Sequence, residues 1–229
     1  MFFDVVQPNK DKISSNLSAG TLSFELSCLG EKIITNCGYG RKISKKIQLL
    51  SKFTSAQSTL CMNNTSVVKF KKNSLINKAY GSTISNSFKI FDLERTEDKT
   101  NVTISATHNA YLDKFGYLHK RTIKFFKKNN DIVGNDYLIK KNGNSNSEFS
   151  IRFHLYPGIN TVQTISGKRI LLQISKNKSW VFSSEKQKID IEKSLFLGRN
   201  KALNNQCIVI YGNTNDGDVN IEWNLKKAS

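Results

Sequence analysis

The chain has 229 residues, 38% of them hydrophobic, with 14 Phe and 7 Tyr, enough to bury a sizeable core as one large or two small domains. No apolar run approaches the roughly 18 residues of a membrane-spanning helix, and Met1-Phe2-Phe3 gives way to Asp4, far short of the apolar core of a signal peptide. The formal charge of +17, from 35 basic and 18 acidic residues, raises a polyanion as partner, whether nucleic acid, acidic glycan or anionic lipid.

In chain order, the apolar segments alternate with period two and stop at Asn, Gly, Asp or Ser, the pattern of β-strands. The first covers 21–28, with Leu22, Phe24 and Leu26 on one face and Thr21, Ser23 and Glu25 on the other. A second covers 32–36. Residues 43–53 show weak helical spacing through Ile43, Ile47, Leu50 and Phe53, which a basic loop fits about as well. Further strands are expected at 66–70 and 101–108, separated by a polar Ser/Asn-rich connection over 73–86. The series continues at 118–127, 131–140, 147–155, 169–175, 179–184, 188–195, 207–211 and 219–225. Turn sequences such as Asn142-Gly143-Asn144 and Ser166-Gly167-Lys168 join many of these as hairpins. The pattern predicts an all-β fold, an antiparallel stacked-sheet β-sandwich of supersandwich-like type with little helix. One β domain over 1–229 is expected, with a subdomain junction allowed near 90–100.

Cys28, Cys37, Cys61 and Cys207 contain no C-x-x-C pair, which argues against a zinc knuckle or redox motif. They sit in or beside apolar strands and read as buried free thiols rather than a disulfide framework. The basic residues are mostly Lys, dispersed and alternating with apolar positions. AT-rich codon usage explains them better than a nucleic-acid surface, which concentrates Arg and exposed aromatics. Nucleic acid is therefore an unlikely partner.

Three early segments carry more than strand pattern. They are Ser18-Ala19-Gly20-Thr21-Leu22-Ser23-Phe24-Glu25-Leu26, Ile33-Ile34-Thr35-Asn36-Cys37-Gly38 and Thr54-Ser55-Ala56-Gln57-Ser58-Thr59-Leu60. Thr107-His108-Asn109-Ala110-Tyr111, Gly116 and His119-Lys120-Arg121 follow, then Arg152-Phe153-His154-Leu155-Tyr156-Pro157-Gly158. Asn205-Gln206-Cys207-Ile208-Val209-Ile210 and Ile221-Glu222-Trp223 close the set. In this order, over nearly the whole chain, the set resembles the β domain of heparinase II/III-type polysaccharide lyases.

The resemblance implies β-elimination on uronate-containing acidic polysaccharides. The substrate carboxylate is neutralised, a base removes the proton at C5, and an acid protonates the departing oxygen. In that family most catalytic groups lie in an N-terminal helical toroid, and the β domain adds one catalytic His and a zinc held by His, Asp and His. This chain starts where the toroid would have ended. The catalytic His position holds Asn16, the zinc positions hold Ser18, Asn36 and Gln57, and the Arg of the third motif is Lys52. Such side chains are poor zinc ligands, so no cofactor is expected, and a hydrogen-bonded cluster can stand in its place.

The expected function is the β domain of such a lyase, inactive as an isolated chain. The alternative is a non-catalytic acidic-glycan-binding or interaction module on the same fold. The implied partners are an acidic polysaccharide and a separately encoded helical toroid. The resemblance places the protein in the bacterial cell envelope or periplasm, and the lack of an export signal in this chain leaves the cytoplasm open.

Asn16, Lys52 and Arg121 are the candidate substrate-binding residues, and Asn16, His108 and Tyr111 the candidate catalytic ones. Asn16 is no base at neutral pH but can orient a carboxylate or hydroxyl. His108 and Tyr111 read either as a substrate-facing pair or, more readily, as structural partners at a strand end. His119 lies on the next strand. His154 faces away from Phe153 and Leu155 and packs across the sheet. Asp190 and Glu192 share a strand face as glycosidase carboxylates do, but alternation with Ile189 and Ile191 makes it an ordinary solvent face. Nucleophile-elbow, P-loop and H-E-x-x-H motifs are absent.

Overall fold

The computed structural model describes all residues except 11, 72–81, 144–145, 199–200 and 229. The strands are β1 (Phe2–Phe3), β2 (Phe24–Cys28), β3 (Glu31–Thr35), β4 (Leu60–Met62), β5 (Ile90–Glu97), β6 (Asn101–His108), β7 (Tyr117–Phe126) and β8 (Ile132–Lys140). They continue with β9 (Glu148–Leu155), β10 (Asn160–Gln163), β11 (Arg169–Ser175), β12 (Lys178–Ser183), β13 (Ile189–Phe196), β14 (Leu203–Asn213) and β15 (Val219–Lys227). Helix is confined to α1 (Lys45–Leu50), α2 (Leu112–Phe115) and two 3-10 turns at Lys12–Asn16 and Thr54–Ala56.

Two antiparallel sheets result, as the alternation implies. The seven-stranded sheet runs β1-β2-β3-β9-β14-β13, with β4 also paired to β9. The eight-stranded sheet runs β10-β11-β12-β15-β8-β7-β6-β5. The protein is an all-β antiparallel sandwich. Strands of both sheets alternate along the chain, and one hydrophobic cluster draws on both inner faces.

Aromatic packing fixes how the sheets meet. The Trp223 indole stacks on Phe24 at 5.4 Å and meets Phe153 edge-on at 4.9 Å, geometries aromatic pairs favour. The indole lies over Gly134, where a β-carbon would sit 2.0 Å from its Cζ2. Only glycine leaves room there. Leu22, Phe24 and Leu26 are all buried, as their shared face implies, but Thr21 and Ser23 are buried too. Strand β9 is likewise covered on both faces, because residues 55–58 lie across its outer side. The Ser58 hydroxyl accepts the His154 amide at 3.0 Å, and the Cys37 amide donates to the Ala56 carbonyl at 2.9 Å.

Residues 66–70 form no strand beyond a single bridge between Phe70 and Ile84. Their backbone amides go to side chains instead: the Val67 amide to Thr54 Oγ1 at 3.0 Å and the Lys69 amide to Asn86 Oδ1 at 2.5 Å. The weak helical spacing at 43–53 does yield α1, capped by the Ser44 hydroxyl on the Ile47 amide, a standard N-cap. Residues 90–97, near the expected junction, form β5. Most of the expected connection at 73–86, and Asn144 of the 142–144 turn, lie outside the described residues. All four cysteines are free thiols, three of them buried.

Candidate functional site

Residues 18–23 make a tight loop before β2. Leu22 takes a left-handed φ of +58°, uncommon for a residue with a branched side chain. This turn points two adjacent residues in opposite directions: the Leu22 carbonyl goes inward, and the Ser23 hydroxyl goes to an outer polar rim.

On the rim, Asp4 Oδ2, Ser23 Oγ and Ser18 Oγ converge on Gly20, lying 2.9, 3.2 and 3.4 Å from where its β-carbon would be. Asn36 joins them. Its Nδ2 donates to Ser23 Oγ at 3.3 Å, its Oδ1 accepts the Ser58 amide at 2.8 Å, and its own amide donates to Glu25 Oε1 at 3.3 Å. Burial pushes the Asp4 carboxyl upward against the opposing hydrogen bond from the Val6 amide. Asn16 and Ser18 are exposed. Gln57 is buried and donates to the Ser51 carbonyl at 2.8 Å, not to this cluster. Neutral amides and hydroxyls dominate the three expected metal positions, and among the described residues no group of three His, Cys, Asp or Glu could hold a metal ion. The donor set does not fit zinc, which favours imidazole, thiolate and carboxylate.

Lys52 is buried rather than presented to a ligand. Its ammonium donates to the Ser15 and Ser82 carbonyls and lies 5.6 Å from the Phe70 ring centre. Burial lowers its pKa. The residue ties the 3-10 turn at 12–16 to the segment before β5.

Directly inside lies a second polar region on the inner face of the eight-stranded sheet. Its hydrogen-bond directions are fixed from one end. The Ala110 amide donates to His108 Nδ1 at 3.2 Å, so the His108 proton sits on Nε2. That proton is donated to His119 Nδ1 at 3.1 Å, which places the His119 proton on Nε2, facing Asp136 Oδ1 at 2.7 Å. Both rings are neutral in this arrangement. Burial lowers the pKa of each, and for His119 it outweighs the upward pull of Asp136.

Asp136 also accepts from Arg121 Nε at 2.8 Å, Arg121 Nη2 at 3.1 Å and Trp223 Nε1 at 2.9 Å. Burial works against its ionisation, but the Arg121 charge and these hydrogen bonds overcome it and hold the carboxyl well below its usual range. Arg121 Nη1 donates to the Leu22 and Ser58 carbonyls, both at 2.8 Å. The guanidinium is fully buried. It reaches no solvent-side ligand and instead anchors, from beneath, the two loops that carry the rim.

His108 ends β6 and Tyr111 follows it, both enclosed. Tyr111 is buried, donates to the Leu60 carbonyl at 3.1 Å, and is held well above the usual phenol range by burial and by Cys61. Neither side chain opens to solvent. His154 does pack across the sheet. Its Nε2 donates to the Ser55 carbonyl at 3.1 Å, and its Nδ1 faces Ser194 Oγ at 2.9 Å and Cys37 Sγ at 3.4 Å. Burial brings its pKa to about 4 and raises the Cys37 thiol to about 11, so neither is charged at neutral pH.

Asp136 was not among the sequence candidates. The signal was present, since alternation sets it on the face of Ile132 and Leu138 and pairs it in register with Arg121.

The heparinase II/III-like C-terminal domain profile matches residues 1–224. The chain belongs to that family. Similar solved structures include the heparan sulfate lyase HepC from Pedobacter heparinus, with a TM-score of 0.72 and 16% identity over 93% of this chain and 31% of that one. A heparinase III structure gives a TM-score of 0.66 and 14% identity over 92% of this chain and 29% of that one. Among curated proteins, the FtsZ-localized protein C of Caulobacter vibrioides is 21% identical over 98% of this chain. The chain spans 40% of the length of that relative. This heparinase-like domain thus corresponds to a C-terminal portion of longer proteins, and no helix among its described residues is long and apolar enough to cross a membrane.

Proposed function

We propose that this domain is the β half of a lyase-type glycan cleft, contacting uronate-containing acidic polysaccharide at the rim of Asn16, Ser18 and Asn36. By itself it neither catalyses β-elimination nor holds zinc. The observation that carries this reading is the protonation chemistry of the site. His108 and Tyr111 are buried and neutral, and Asn16, Ser18 and Asn36 offer amides and hydroxyls where the family's proton transfer needs a base and an acid, with Asp4 and Glu25 the carboxyls beside them. Neutral donors still orient a carboxylate, and the net charge of +17 draws a polyanion towards the domain. A helical toroid, in the same protein or encoded separately, would supply the missing acid and base, and the protein would work in the bacterial cell envelope.

The test is incubation with heparan sulfate and other uronate glycans, followed by the ultraviolet absorbance of the unsaturated product. We expect retention on a heparin column, weakened by salt, without product formation. Product formation by the isolated chain, or one zinc per chain by elemental analysis, would overturn the reading.

The match across nearly the whole chain to a protein named for its localisation with FtsZ supports a second reading. There the domain is a non-catalytic interaction module of an FtsZ-localized protein. A fluorescent fusion that fails to follow FtsZ would remove it.

A further inference from the structure

The outer face of the seven-stranded sheet carries a cleft of about 400 Å³, separate from the rim and within the size range of ligand pockets. Register builds it. Cys61 and Tyr211 both pair with Ser150, and Asn213 pairs with Glu148, so β4, β9 and β14 direct these positions to one side. Asn63 and Asn64, both at left-handed φ, turn the chain back over the end of the cleft.

The lining is chemically specific. Tyr211 contributes a ring that is 45% exposed. Its hydroxyl donates to the Glu192 carboxylate, which also faces Arg152 at 3.9 Å, so the ring is held in place. Glu192 is therefore an anchoring residue as well as a member of a solvent face. Glu148 is exposed, and its carboxylate makes no ion pair among the described residues. Asn64, also exposed, lines the same cleft. Asn213 Oδ1 accepts the Asn215 amide at 2.8 Å, which leaves its Nδ2 as the donor.

From this geometry we infer that the cleft binds an uncharged hexose or N-acetylhexosamine unit of a glycan. A fixed aromatic ring offers a stacking surface for the apolar C–H face of a pyranose. A carboxylate and two amides beside it supply acceptors and donors for hydroxyl and acetamido groups. The exposed Glu148 carboxylate repels uronate and sulfate, so the cleft selects against the anionic sugars proposed for the rim. The inference does not rest on that proposal, because the two sites share no residue and call for opposite ligand charge.

The experiment is an NMR or calorimetric titration of the full chain with triacetylchitotriose and with cellotriose, alongside Tyr211→Ala, Tyr211→Phe and Glu148→Lys. We expect saturable binding of at least one oligosaccharide. It should weaken about tenfold or more in Tyr211→Ala, as for loss of an aromatic anchor, and weaken less in Tyr211→Phe, which keeps the ring but loses its bond to Glu192. Glu148→Lys should weaken it too and strengthen heparin binding. Tyr211 is half-exposed, so an unchanged melting curve separates lost binding from lost fold. Absence of binding to both oligosaccharides, or binding indifferent to Tyr211→Ala, would overturn the inference. So would heparin binding that Tyr211→Ala abolishes. Retention on heparin that Asn36→Ala weakens and Tyr211→Ala leaves intact would keep the rim proposal alive even if the cleft proves empty.

Discussion

Leu22 and Ser23 are neighbours in sequence, yet each belongs to a different polar region, and the two regions are built on opposite rules. The Leu22 carbonyl joins the inner one, where Arg121, Asp136, His119, His108 and Trp223 satisfy one another without any exposure. The Ser23 hydroxyl joins the rim, where Asn36 makes single bonds to several partners and Ser18 faces solvent. The inner region keeps a charged pair because each polar side-chain atom of the five residues has a partner; a half-satisfied version would cost more than an apolar core. The rim holds few charges and few obligations. A family fold can thus keep its frame through the inner network while the chemistry at the rim changes.

The comparison breaks most visibly at Arg121. Arg121→Ala leaves the Asp136 carboxylate buried without its counter-charge and strips the Leu22 and Ser58 carbonyls of their donor. We expect a loss of ~3–5 kcal/mol in urea unfolding, together with disturbed rim resonances in NMR spectra. A loss below about 1 kcal/mol would mean that the network is not the support of the rim. Gly134→Ala comes next. A methyl group 2.0 Å from the indole forces Trp223 off Phe24, for about 1–3 kcal/mol or more, and should be visible as a change in near-ultraviolet circular dichroism.

Acid acts on the buried rings and on Asp136. In the folded chain His108, His119 and His154 all have pKa values below the ordinary 6.5, so below that pH the unfolded chain takes up protons that the folded chain refuses. Stability is complete above about 6.5 and falls as the pH drops, for His154 down to about 4, by up to ~1.4 kcal/mol per pH unit for each ring. The lowered Asp136 carboxyl adds a further loss below its unfolded value of 3.8. Urea midpoints measured on either side of pH 6.5 check this, and His154→Gln should flatten the slope by about one proton. A flat profile would contradict neutral buried rings.

Much of this was legible in the sequence, and the gaps have physical causes. Period-two alternation located most of the long strands and the shared face of Leu22, Phe24 and Leu26. Strand β5 was not visible because Asp92, Glu94, Arg95 and Glu97 read as a polar connection, although charge is what an edge strand carries to resist unwanted pairing. Strand β4 is three residues long, too short for alternation to register. Residues 66–70 had strand composition, but side chains of Thr54 and Asn86 took up the backbone donors, and no local pattern announces that. At the site, the altered positions Asn16, Ser18, Asn36 and Gln57 could be read directly. The inward direction of Arg121 could have been read too, since it shares its face with His119 and Ile123. The cleft at Tyr211 could not, because it needs the register of β4, β9 and β14 together.

The smallest effect expected is at the rim itself. Asn36→Ala removes one donor to Ser23 and one acceptor from Ser58, both at a part-buried position, for about 1 kcal/mol. Ser18→Ala, exposed and with no hydrogen bond from its side chain among the described residues, should change stability by no more than about 0.5 kcal/mol. Binding should reverse that ranking of regions. Asn36→Ala and Ser18→Ala should lower the salt concentration that elutes the domain from heparin, whereas a Lys replaced on the far sheet, such as Lys226→Ala, should lower it only through net charge. The informative case is a pair of rim variants with intact melting curves. If both elute with the parent protein, the rim carries neither the fold nor the ligand, and its polar cluster is only the residue of a site whose frame Arg121 still holds.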